Sequence, residues 1–150
     1  MREYFQKKRG FIEVPSQSKL SILAACEDPR TISQFEFGGQ NYPLPQTGQM
    51  VLEEILLNNP NVNGVFCITT SYRNEPNPVK GRHDLIFPMF EFEGKGNFEE
   101  LKNTETELLE CLGFNSPFSI KYDDSCKKYD TDVLEAEHET QMQKDYGDSI

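Results

Sequence analysis

The sequence holds no apolar run near the roughly 20 residues that a membrane-spanning helix needs. No apolar stretch follows the lysines and arginines of residues 2 to 9 either. Neither a membrane span nor a secretory signal is expected, and the cytoplasm is the expected compartment. Cysteine is sparse and unpatterned: Cys26, Cys67, Cys111 and Cys126 show no CxxC spacing and no neighbouring histidine pair. The usual zinc patterns are therefore excluded, no metal centre is expected from the residues, and the thiols read as small hydrophobes in a reducing compartment. Positive charge is scarce too, with 15 lysines and arginines against 25 acids and a formal net charge of -10. That balance excludes a broad basic surface for gripping DNA, and any contact with RNA has to be local.

What is present suffices for a globular domain. At 150 residues, 36% hydrophobic and 11% aromatic, the chain is long enough to bury roughly two thirds of its unfolded surface in one core. Much of the negative excess falls in residues 121–150, where nine acids face four lysines; a solvated helix face accounts for that.

Residues 2–9 read as a basic amphipathic helix end with Tyr4 and Phe5 inward, stopped at Gly10, and "FIEV" follows as a short strand. Residues 15–47 hold four of the nine prolines and the Gly38-Gly39 pair, and read as loops around one strand at "SQFEF" with a turn at "GGQN". "GQMVLEEILLNN" has the spacing of a helix, with Met50, Leu52, Ile55, Leu56 and Leu57 apolar and Glu53 and Glu54 outward. "GVFCITTSY" and "IFPMFEFE" then read as the two strands of a long-looped antiparallel hairpin. Asn97, with Glu100 three residues on, is placed to cap a helix running through Leu101, Leu108, Leu109 and Leu112 to Gly113. The fold class expected is α+β, an antiparallel sheet flanked by helices.

The hairpin carries charge where strands should be apolar. Alternation puts Val65, Cys67, Thr69, Ser71, Arg73 and Glu75 on one face of the first strand, and Phe87, Met89, Glu91 and Glu93 on one face of the second. If those faces coincide, an arginine, carboxylates and an aromatic ring share a rigid floor. Such a floor suits an anionic, ring-bearing ligand with an ammonium group. A wet sheet face laced with cross-strand ion pairs is the other reading that periodicity allows.

"SYRNEPNPVKGRHDLIFPMFEFE" resembles motif 2 of the class II aminoacyl-tRNA synthetases, in the aspartate, asparagine and lysine subgroup. The resemblance lies in an Arg-x-Glu at a strand end, a variable loop holding a histidine, then Phe and acidic residues on the return strand. "REYFQKKRGFIEV" is similar to motif 1, which forms the dimer interface in that family, and "YPLPQTGQMVLEEILL" to the segment bearing amino-acid-binding residues. "VLEAEHETQMQKDYGDSI" resembles the acidic helix and strand entry after motif 2.

The resemblance implies ATP as a substrate with Mg²⁺, an amino acid, the acceptor end of tRNA as a partner, and a homodimer. It implies that Arg73 holds the α-phosphate and its transition state, that Glu75 accepts from the adenine amino group, that His83 faces the outer phosphates and that Phe87 stacks on adenine. Glu27 and Gln46 would bind the amino acid, and Glu91 and Glu93 would sit at that end of the site.

Three departures qualify the likeness. Gln17 stands where motif 1 ends in proline, and Gln49 stands where an aspartate-specific enzyme has a lysine. A neutral side chain there cannot neutralise a substrate carboxylate, which points away from free aspartate and toward asparagine or another amino acid. Nothing matches motif 3, which the family places further along, so the catalytic core is expected to be truncated. Three functions follow from the sequence: amino-acid activation with transfer to tRNA, an amide ligase of the asparagine-synthetase kind in which ammonia attacks the adenylate, or a non-catalytic binding domain.

Overall fold

Strand register fixes the main sheet. In the computed structural model, which describes residues 1–16, 29–114 and 118–147, β4 (Gly64–Tyr72) pairs antiparallel with β5 (Ile86–Gly94) along its full length. β1 (Ile12–Glu13) lies on the other side of β4 and runs parallel to it, so the sheet order is β1-β4-β5 and the sheet is mixed. The expected hairpin is present with its long connection. The parallel pairing is an addition to the antiparallel expectation, possible because the intervening segment is long enough to cross over.

The described residues form two compact units, Arg2–Lys95 and Gly96–Ile150 with Met1, where chain length alone suggests one. In the first unit, a π-helical turn at Tyr4–Lys8 buries Tyr4 and Phe5 as expected. Phe5 has no exposed surface. Its ring lies 4.7 Å from that of Phe92, 4.9 Å from Phe90, 5.8 Å from Phe66 and 5.5 Å from Phe11. These rings close one face of the hairpin. Phe11 comes so near the backbone that a Cβ on Gly64 would lie 2.3 Å from it, and one on Gly94 2.8 Å; the two glycines are cross-strand partners.

The other face packs on α1 (Gln49–Asn58), where Leu52 meets Val65 and Cys67, with Ile55 and Leu56 partly buried around them. Two details of that helix correct the sequence reading. Leu57 is 81% exposed, because it lies on the far side of the helix from Leu52. Glu53 does not point outward; it is half-buried and takes a hydrogen bond from the Gln49 side chain. β2 (Gln34–Phe37) has a partner that the sequence reading left as loop, β3 (Gln40–Pro43). Gly38 and Gly39, both with positive φ, make the tight turn between them.

In the second unit, Asn97 caps α2 (Phe98–Cys111) as expected. Its Oδ1 accepts from the Glu99 and Glu100 N–H groups, and the Glu100 carboxylate accepts from the Asn97 N–H. A short helix not foreseen, α3 (Tyr122–Lys128), precedes the acidic α4 (Ala136–Tyr146). Lys128 joins them through Asp145, at 2.6 Å. The strand entry expected at "GDSI" falls partly outside the described residues. Among those described, no helix is long and apolar enough to cross a membrane.

Candidate functional site

The charge-bearing faces of the two strands coincide. Ser71 is paired with Phe87, Thr69 with Met89, Cys67 with Glu91 and Val65 with Glu93, and directly opposed residues in a sheet share a face. Arg73 follows β4 at a bridge to Ile32, and its N–H donates to the Leu85 carbonyl at 2.8 Å. That fixes its backbone at the mouth of the loop. The guanidinium carbon sits 5.5 Å from the centre of the Phe87 ring, on the same side of the hairpin. No carboxylate pairs with Arg73 among the described residues, and its Nε is buried without a partner. The cross-strand ion pairs of the alternative reading are therefore not what this face contains.

In the loop, His83 Nδ1 lies 2.8 Å from Glu75 Oε2, so the ring N–H donates to the carboxylate. The two residues assigned by resemblance to adenine and to the outer phosphates hold each other in this structure.

The opposite end of the face is acidic. The Glu91 carboxylate is held by the Thr47 hydroxyl and by the Gly48 N–H at 2.8 Å, where α1 begins. An anion at a helix start is favoured by the unpaired N–H groups and the helix dipole. Glu91 thus fastens residues 47–48 to β5. A side chain at position 48 would not fit, since a Cβ there would stand 2.9 Å from Cys67 Sγ. The Cys67 thiol is pushed up to about 11 by burial and by Glu91, and stays protonated near neutrality.

Gln46 is 3% exposed and donates to the Thr31 hydroxyl at 3.0 Å. Gln49 donates to Glu53 at 3.0 Å. Glu93 has its carboxyl raised above the usual range, first by burial, then by Glu53 and Glu91. No lysine or arginine pairs with these three glutamates among the described residues. Glu27 lies outside the described residues.

Glu53, Thr47 and Gly48 were missed from the sequence. Glu53 alone left a signal, as it follows Gln49 by four positions on a helix, the spacing at which side chains meet. The contact between Glu91 and residues 47–48 spans more than 40 positions of chain and no pattern announces it.

The raised Glu93 carboxyl has a definite sign. Folding holds its proton more tightly than the unfolded chain does, so its ionisation costs folding stability as pH rises above the ordinary value near 4.5. Glu93→Gln is expected to raise the denaturation midpoint at pH 8 and to change it less at pH 4, below the ordinary carboxyl value. Urea melts at both pH values would show this; a variant less stable than the parent at pH 8 would contradict it.

No family model matches the sequence, and no curated protein matches it. Solved structures do. The chain superposes with a TM-score of 0.78 on an asparaginyl-tRNA synthetase from Pyrococcus horikoshii complexed with asparaginyl-adenylate, at 21% identity over 97% of its own length and 40% of that chain. The fold is the one found in part of that synthetase. An Entamoeba histolytica asparaginyl-tRNA synthetase in complex with asparaginyl-adenylate gives 0.69 at 18% identity, covering 96% of this chain and 37% of that one. A further structure of the Entamoeba histolytica enzyme gives 0.69 at 19%, covering 96% and 39%. At these identities the likeness is one of fold. The chain spans about two fifths of the length of these synthetases.

Proposed function

We propose that the chain activates an amino acid as its adenylate with ATP, as part of a class II aminoacyl-tRNA ligase that passes the aminoacyl group to tRNA. The observation that carries this reading is the placement of an unpaired guanidinium over an aromatic ring on one rigid sheet face. In the reaction, a carboxylate oxygen of the amino acid attacks the α-phosphorus of ATP. The bond from that phosphorus to the bridging oxygen breaks, and pyrophosphate leaves. A hydroxyl at the tRNA acceptor end then attacks the acyl carbon and displaces AMP.

No protein nucleophile is required; what is required is position and fixed positive charge. Arg73 supplies the charge at the α-phosphate, Phe87 a flat seat for adenine, and Glu75, once released by His83, an acceptor for its amino group. The acidic end, with Glu93 foremost, suits the substrate ammonium. Glu91 and Gln46, each already bonded within the chain, shape that end.

The substrate side chain we assign is an amide. Gln49 is neutral, and among the described residues no lysine or arginine pairs with Glu53, Glu91 or Glu93, so a substrate bearing a second carboxylate would be repelled where asparagine would not. Magnesium supports this chemistry by neutralising the phosphates it binds. Among the described residues no group of three His, Cys, Asp or Glu converges as metal ligands, and magnesium is assigned to no side chain. We further propose that two copies associate through the N-terminal turn and β1, whose Ile12 is half exposed at the sheet edge.

The test is ATP–pyrophosphate exchange with each amino acid in turn, alongside calorimetric titration with the sulfamoyl analogues of asparaginyl- and aspartyl-adenylate. Exchange dependent on asparagine, with the asparaginyl analogue bound at least tenfold more tightly, is expected. Exchange dependent on aspartate, with ammonia-dependent formation of asparagine, would replace the ligase reading by the amide ligase. Absence of both exchange and analogue binding would leave a non-catalytic domain.

A further inference from the structure

Among the described residues, four side-chain nitrogen or oxygen atoms are buried without a hydrogen-bond partner: Thr69 Oγ1, Ser71 Oγ, Arg73 Nε and Ser125 Oγ. Buried polar atoms that give up water usually gain a partner, so each such atom asks for an explanation. Three of the four fall at alternate positions of one segment, on the face that carries Phe87 and Glu91. Thr69 is 3% exposed and Ser71 has no exposed surface. Their cross-strand partners, Met89 and Phe87, set them between the aromatic seat and the acidic end of the face.

An arginine Nε–H can only donate, and a hydroxyl can donate as readily as accept. The group that satisfies all three must therefore accept, and beside a guanidinium it carries negative charge. We infer that Thr69, Ser71 and Arg73 form one phosphate-holding row, with the two hydroxyls donating to the phosphoryl group that links a nucleoside to its substituent. This deepens the activation reading by adding two ligand-holding residues on β4. A phosphate oxygen entering the row displaces the guanidinium from its place over Phe87, and the ring is freed for the base.

The experiment uses AMP and adenosine as probes of the 150-residue chain, by calorimetric titration. Ser71→Ala and Thr69→Val are each expected to weaken AMP about 10- to 100-fold, the loss of a hydrogen bond to a charged group. Adenosine, which lacks the phosphate, should bind these variants and the parent alike. The thermal midpoint should hold or rise, because a lone buried hydroxyl has been removed. Thr70→Val, one position along on the exposed opposite face, should change nothing.

The inference is overturned if AMP affinity is unchanged in Ser71→Ala and Thr69→Val, if AMP and adenosine weaken equally, or if the parent chain binds no AMP. Failure of the activation reading looks different. A phosphate-dependent loss in the variants with no exchange for any amino acid keeps the row and removes the activity. Asparagine-dependent exchange undiminished in Ser71→Ala keeps the activity and removes the row.

Discussion

Alanine in place of Arg73 is expected to lower amino-acid-dependent pyrophosphate exchange by about 100- to 1,000-fold, the usual cost of removing a fixed group that meets transition-state charge. The fold should survive. The backbone hydrogen bond from residue 73 to Leu85 needs no side chain, and the variant removes a buried nitrogen that has no partner. Arg73→Lys is expected to recover only a minor part of the rate, because an ammonium is a point charge and cannot make the two parallel contacts of a planar fork. Exchange rates at saturating ATP, with a circular dichroism melt on each variant, would decide the matter. Undiminished exchange in a folded Arg73→Ala protein would refute the assigned role.

Phe5→Ala should give the largest loss of stability, about 3–5 kcal/mol, since a wholly buried ring is deleted from among four other phenylalanines. The neighbours cannot collapse into the space. Phe66, Phe90 and Phe92 are held by the strand register, and Phe11 by its seat on Gly64 and Gly94. Against a typical stability of about 5–15 kcal/mol, such a loss is a large fraction of the total and would bring a domain at the lower end close to unfolding at room temperature. The urea midpoint reads the effect directly; a loss below about 1 kcal/mol would show that this aromatic layer is not what holds the sheet.

Where the sequence reading succeeded, the physics was local. Alternation of period two assigned the side chains of residues 65–72 and 87–93 to their faces, although Glu75, read on the same face, lies in the loop beyond the strand; Asn97 with Glu100 marked the start of α2. It fell short where distant segments decide. Glu53 looked solvent-facing because helical spacing gives the relative directions of side chains and not which arc meets the sheet; Gln49 and the carboxylates of β5 settle that. β3 was hidden by Pro43 and by polar residues that need no apolar face on a two-stranded ribbon. The mutual grip of Glu75 and His83 depends on how a loop folds back, which neither residue's identity encodes.

The bond from Glu91 to Thr47 and Gly48 bears on any attempt to alter what this face selects. Residues 47 and 48 lead into α1, yet their anchor is on β5, so a graft of the helix from a protein of different preference would arrive without its mooring. Exchanging selectivity here means transplanting both segments together, carboxylate and glycine included.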